Sequence, residues 1–290
     1  MGTSRTCRLY IGDDILITNV RLAPPSETLY REVEESFPEP IERPAVFFFS
    51  MAKCGSTMLT KAVKYCLEAR GLPGFHFARF FWERGVVKSK WSRYDLRPFV
   101  RDGIVYYGFR SLPHFLAHSS LLQNRKSILL VRDRRDAATS HYFSKLYEHP
   151  VPGQGQGPAA RKFLMEREKL QNMSIDDHVL RYSKTYLSAW TKYIENLPVQ
   201  TGHSKIYRYE DIIFNKRAFF RDAFQFLEID VPEGLIDKIV SKVDVFPQEE
   251  QVNKRIRVVK PGNHLEKLKP QTIEKLNELL HAPLNYHGYI

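Results

Sequence analysis

Short apolar runs recur along this chain, and most lead into residues with helical spacing. Ala45 to Ser50 is the densest, rich in Phe, and reads as a strand buried on both faces. Further strands are expected at Ile104 to Phe109, Ser127 to Val131 and Lys205 to Tyr209. After the first run, Ser56 to Arg70 places Met58, Leu59, Ala62, Val63, Cys66 and Leu67 at three- and four-residue spacing, the signature of one helix face. Helices are likewise expected around Pro113 to Gln123 and Asp136 to Tyr147, and at Lys216 to Leu227 and Glu233 to Val243. Strands alternating with helices in this way predict an α/β fold, with a central parallel sheet flanked by helices.

The chain has 290 residues, enough for one large α/β domain. Cys7 to Ala23 reads as a β-hairpin, with CRLYI and ILITNV flanking a Gly12-Asp13-Asp14 turn. Pro24, Pro25, Pro38, Pro40 and Pro44 then predict an irregular acidic connector. The expected division is an N-terminal extension over 1–44 and a main domain over 45–290. His149 to Pro158 (HPVPGQGQGP) cannot be a helix interior and is expected to be a surface loop, a candidate lid. A charged helix (Ala159 to Gln171) and an aromatic-rich one (Ile175 to Asn196) are predicted to follow it.

Basic residues outnumber acidic ones, 44 to 33, leaving a net charge of +11. Such a field attracts anions, whether nucleic acid, membrane, a polyanionic substrate or a nucleotide. Only Cys7, Cys54 and Cys66 are present, which argues against a secreted disulfide framework. The first ten residues hold no long apolar stretch, and no run approaches a membrane span. The expectation is a soluble, cytoplasmic protein.

Two segments at strand ends read as anion sites. In VFFFSMAKCGSTML (46–59) a buried strand passes through a tight turn into a helix. The helix start offers unpaired N–H groups, Gly55 permits close approach, and Lys53, Ser56 and Thr57 add donors. An ordinary Ser/Thr-capped turn has the same letters. The segment is not a Walker A loop, because Lys53 precedes Gly55 and no Lys follows it. In SILLVRDRRDAATS (127–140), Arg132 ends a strand and Asp136 is an N-cap or first-turn acid. Ser140 lies one turn further along the same face. Ligands of open α/β sheets sit beyond the carboxyl ends of the strands, so both segments point to one crevice.

These segments together resemble the sulfotransferase family that uses 3′-phosphoadenosine 5′-phosphosulfate (PAPS). The family's PKSGTTWL loop stands here as AKCGSTML, and its RNPKDVAVSYY segment as RDRRDAATSHY, with Arg132, Asp136, Ser140 and Tyr142 in register. IYRYED (206–211) resembles the family's strand ending in YED, whose Tyr contacts adenine, here Tyr209. RIRVVKPGNH (255–264) resembles the late RKGxxGDW loop, with Gly262 on its second Gly, Asn263 in place of Asp, and Arg257 on the Arg that meets the 3′-phosphate.

The resemblance implies a three-layer P-loop-like fold, PAPS as donor, adenosine 3′,5′-bisphosphate (PAP) as product, and no metal. It implies that Lys53 meets the bridging oxygen as charge develops there. The Gly55 to Met58 backbone and the Ser56 and Thr57 hydroxyls would hold the 5′-phosphate. Arg132, Ser140 and Arg257 would hold the 3′-phosphate, with Cys54, Tyr209, Lys260 and Gly262 completing the nucleotide set. The family's base is a His in a segment like KTHLP, where Ser111 stands here, or a Glu shortly after the first helix. The base candidates in this chain are therefore Glu83, His76 and His114, each with a structural alternative.

The aromatics Phe75, Phe77, Phe80, Phe81, Trp82, Tyr106 and Tyr107 suggest walls for a small-molecule, lipid or carbohydrate acceptor. Lys88, Lys90, Arg93, Arg97 and Arg101 would steer an anionic acceptor or simply form a solvated face. Two other readings stay open: a P-loop kinase or nucleotide hydrolase, and a non-catalytic polyanion- or nucleotide-binding protein. Neither nucleic acid nor a membrane is an expected partner.

Overall fold

The computed structural model describes residues 8–11, 14–17, 22–117, 119–151, 155–251, 254 and 256–290. An antiparallel hairpin of β1 (Arg8–Ile11) and β2 (Asp14–Ile17) opens the chain, with Arg8 opposite Ile17. Its predicted turn includes residues 12 and 13, which lie outside the described residues. The proline-punctuated connector is not irregular throughout. It forms α1 (Glu27–Glu35), started by Ser26, whose side chain accepts from the Leu29 N–H. Val33 on α1 is fully buried and Tyr30 packs 4.7 Å from Phe99, so this segment belongs to the main core.

The central sheet comprises β3 (Val46–Ser50), β4 (Gly74–Phe75), β5 (Val105–Phe109), β6 (Ser127–Val131) and β7 (Ser204–Arg208). Their order is β4-β5-β3-β6-β7, and every pairing is parallel. Strands β3 and β6 lie at the centre and are buried along their whole length, which is why their sequences are unbroken apolar runs. Burial of Phe47, Phe48 and Phe49 contributes about 1.5–3 kcal/mol each. After β3 the chain builds the β5 side of the sheet, then returns to place β6 on the other side of β3. That reversal opens a crevice at the carboxyl ends of β3 and β6.

Helix α2 (Ser56–Arg70) connects β3 to β4, and the short helices α3 (Phe77–Glu83) and α4 (Lys88–Trp91) follow. The helix expected at 113–123 does not form. The described residues there make turns and one 3₁₀ turn, Ser120–Leu122, where the Ser119 hydroxyl takes the Leu121 N–H. Helix α5 (Arg134–Phe143) begins earlier than predicted because Asp133 is its N-cap, and Asp136 takes the other expected place, the acid of the first turn. A π-helical turn, Ser144–Glu148, extends α5. Of the 149–158 loop, residues 152–154 lie outside the described residues, and Gly157 and Pro158 already belong to α6 (Gly157–Gln171). The chain continues with α7 (Ile175–Ile194), α8 (Tyr209–Ile212), α9 (Lys216–Phe226) and α10 (Glu233–Val243). It closes with α11 (Asn263–Lys267), α12 (Pro270–Leu279) and α13 (His281–Tyr286). Among the described residues, no helix is long and apolar enough to cross a membrane.

Candidate functional site

Ser50 of β3 lies opposite Leu130 of β6, and the Met51 N–H donates to the Leu130 carbonyl at 3.0 Å. The chain therefore leaves both strands at the same level. Beyond β3 it turns tightly: the Cys54 N–H donates to the Met51 carbonyl, Lys53 has φ +66°, and Gly55 has φ +80°. Gly55 is the N-cap of α2 and brings no side-chain cap. A Cβ here would lie 3.2 Å from the Tyr209 ring. The first-turn N–H groups of α2 therefore start uncapped, with the positive end of the helix dipole behind them. Ser56 and Thr57 stand half-buried on that turn.

Lys53, Arg132, Ser140, Lys254, Arg257 and Asn263 line one cleft, closed by Phe143, Ser144, Glu148 and Val258. Burial lowers the Lys53 pKa below the usual lysine value, and Glu148, with Oε1 3.3 Å from Lys53 Nζ, partly offsets this. Arg132 is 5% exposed and its guanidinium lies 4.5 Å from the Tyr209 ring centroid. Its Nε is buried with no acceptor. Arg257 rests 4.0 Å from the Phe143 ring centroid and is gripped by Glu250 and the Asn263 side-chain oxygen.

Asp136 ties these parts together. It accepts from Arg132 at 3.0 Å, from the Gly262 N–H at 2.8 Å and from the His264 N–H at 2.9 Å, with His264 Nδ1 2.7 Å away. Burial alone would raise its pKa. The His264 hydrogen bonds and the Arg132 charge outweigh burial and hold the carboxyl well below the usual carboxylate range. One carboxylate thus docks Gly262 and His264 of the late loop onto α5 and holds Arg132 at the wall of the cleft.

The structure brings Lys53, Arg132, Ser140 and Arg257 together, as the motifs required. Other expected nucleotide residues have roles inside the protein. Cys54 is buried, and its Sγ accepts from Arg134 Nη2 at 2.6 Å; burial pushes the thiol pKa up. Tyr209 donates its hydroxyl to the Val259 carbonyl at 2.9 Å, and burial raises its pKa to about 12. Met58 packs against the Tyr209, Ile213 and Val259 cluster. Gly262 is the N-cap of α11, and Lys260 is exposed.

None of the three expected bases lines this cleft. Glu83 is exposed and pairs with Arg79 at 2.7 Å. His76 is the N-cap of α3: its Nδ1 accepts from the Arg79 N–H at 3.0 Å, and burial lowers its pKa to about 4. Its ring sits where a Cβ on Gly108 would be, 2.1 Å from that position, so Gly108 is what lets it pack. The His114 N–H donates to the Ser92 carbonyl at 3.0 Å. Most of the aromatics expected as acceptor walls are core: Phe75, Phe77, Phe80, Phe81 and Tyr106 are buried, whereas Trp82 is 44% exposed. In the basic stretch, Arg97 pairs with Asp95 and Arg101 with Glu34, as on a solvated face.

Sequence reasoning missed Ser144, Glu148 and Lys254. A signal existed for two of them, since Ser140, Ser144 and Glu148 repeat at four-residue spacing along one face.

The family model described as the sulfotransferase domain matches residues 109–259, which include Arg132, Ser140, Glu148, Tyr209 and Arg257. The chain belongs to the sulfotransferase family and is an enzyme of that family. The loop bearing Lys53 lies outside the matched span. No curated protein sequence matches the chain. Solved structures similar to it include a mouse sulfotransferase complexed with PAP, at 14% identity and TM-score 0.46, covering 89% of this chain and 90% of that one. Another is retinol dehydratase with retinol and PAP, at 15% identity and TM-score 0.44, covering 89% and 86%.

Proposed function

We propose that this chain moves the sulfuryl group of PAPS to a hydroxyl or amine of a small-molecule, lipid or carbohydrate acceptor, releasing PAP. One observation carries the reading. Lys53, on the turn that leads into the uncapped start of α2, and a buried Arg132, whose Nε has no acceptor, meet in one cationic cleft. Orphaned donors of this kind fit phosphate-type groups, and unpaired buried donors are costly unless a ligand meets them. Arg132, Ser140 and Arg257 hold the 3′-phosphate. The N–H groups of Gly55 to Met58, with the Ser56 and Thr57 hydroxyls, hold the 5′-phosphate. Lys53 supplies positive charge to the oxygen that leaves sulfur. Catalysis is then positioning plus electrostatic stabilisation.

Thermal unfolding with ligands tests this. PAP is expected to raise Tm selectively, because a ligand that binds only the folded state stabilises it by mass action. Stabilisation by ATP–magnesium or by an oligonucleotide instead would favour the kinase or polyanion-binding reading. A screen of hydroxyl and amine acceptors with sulfur-labelled PAPS then identifies the acceptor.

A further inference from the structure

We propose that Glu148 is the general base of the sulfuryl transfer, taking the proton of the attacking acceptor hydroxyl through Oε2. This rests on the sulfotransferase reading above and supplies the role that Glu83, His76 and His114 do not fill.

Glu148 is the carboxylate on the wall of the cleft that holds Lys53, Arg132 and Arg257. Its Oε1 lies 3.3 Å from Lys53 Nζ, the group expected at the leaving oxygen. The side chain is only 10% exposed, yet Oε2 is buried with no hydrogen-bond partner. A carboxylate placed there only to clasp Lys53 would not leave one oxygen buried and unsatisfied, at about 1–3 kcal/mol. A hydroxyl donor in the cleft would satisfy it.

The surroundings suit an acceptor. Glu148 ends the π-helical turn that extends α5, and such turns mark functional positions in many helices. The adjacent His149 ring packs 6.5 Å from the ring of exposed Trp82. The residue next to Glu148 in the chain therefore packs beside an exposed aromatic ring, while Arg257 and Asn263 line the same cleft as Glu148. Lys53, with three N–H donors, can serve both the leaving oxygen and Oε1.

The step balances. The acceptor oxygen forms a bond to sulfur while its proton passes to Glu148 Oε2. The bond from sulfur to the bridging oxygen breaks, and its electron pair stays on the 5′-phosphate of PAP, facing Lys53. Glu148 gives its proton to solvent once the products leave.

Glu148→Gln keeps the shape and removes the base. With the acceptor found in the screen, kcat is expected to fall about 100-fold or more. The KM for PAPS and the PAP-induced rise in Tm should stay close to wild type. The acid limb of the wild-type kcat–pH profile should disappear, and formate should restore part of the activity of Glu148→Ala. A wild-type kcat in Glu148→Gln, with or without tighter PAPS binding, makes Glu148 a clasp and overturns the proposal. So does a loss that formate cannot restore, accompanied by loss of the PAP effect on Tm. If the wild-type chain neither binds PAP nor transfers to any acceptor, the sulfotransferase reading itself fails and this assignment falls with it.

Discussion

At the scale of single residues, the cleft shows how one charge can be set by groups far away in the chain. Lys53 is half-buried beside Arg132, Arg110 and Glu148, so its charge is screened less than at an open surface. PAP lacks the sulfuryl group, so Lys53 should matter more for turnover than for PAP binding. Lys53→Ala is expected to lower kcat about 100-fold or more, the scale of losing one preorganised stabilising group, while the Kd for PAP changes far less. Steady-state kinetics and calorimetric titration of the same variant check this; unchanged turnover would remove Lys53 from the mechanism. Lys53 and Arg132 were legible in the sequence because each ends an apolar strand. Glu148 was not, because its four-residue spacing from Ser140 and Ser144 fits a solvated helical Glu equally well until α5 is docked beside the β3 loop.

At the scale of elements, the β3–loop–α2 unit carries the anion site, and its geometry hangs on Gly55. The positive φ disfavours any side chain by about 1–2 kcal/mol, and a Cβ would also press on the Tyr209 ring that braces Arg132. Gly55→Ala is therefore expected to destabilise the fold by roughly that amount and to weaken PAP binding at least tenfold. Denaturant unfolding and PAP titration measure the two effects, and wild-type PAP affinity would sink the prediction. The long elements α2, α7, α9 and α10 follow from periodicity alone, to within a residue or two. Strand β4 does not, since two residues cannot display a period. The start of α5 was misplaced for a different reason. Asp136 looks like a cap, but its carboxylate is taken by the Gly262 and His264 N–H groups, and Asp133 caps instead.

At the scale of the whole molecule, several histidines are held in their neutral form, His178 buried and His76, His141 and His287 half-buried. Burial lowers His76, His178 and His287 to about 4, and His141 to about 3. In the unfolded chain each would titrate near 6.5. The unfolded state thus binds protons first as pH falls, so the stability these groups allow is fully present above about 6.5 and drains away below it. Asp136 works in a lower window, since its depressed pKa protects the fold until pH drops under the ordinary carboxylate value of about 3.9. The melting temperature is expected to fall by several degrees between pH 7 and pH 5, before any carboxylate effect. Calorimetry at constant ionic strength would show it, and a flat Tm over that range would contradict it.

The sequence by itself determined the order of the four longer strands of the main sheet and of the long helices, the parallel sheet and the cationic character of two strand ends. Those are short-range properties: apolar runs and helical spacing report burial within a few residues, and the motifs sit within single turns. The tertiary structure alone decided which groups meet. The separations of 126 positions from Asp136 to Gly262, and of 95 from Lys53 to Glu148, are bridged only when β6 packs beside β3 and the late loop docks on α5. Packing also assigned the Phe residues to the core, His76 to a helix cap and Glu83 to a surface pair. It left Glu148 facing the Lys53 ammonium with one oxygen unsatisfied. Hydrogen bonds and charge pairs across such separations depend on ångström-scale placement, and that placement is fixed by the packed core rather than by any local pattern of residues.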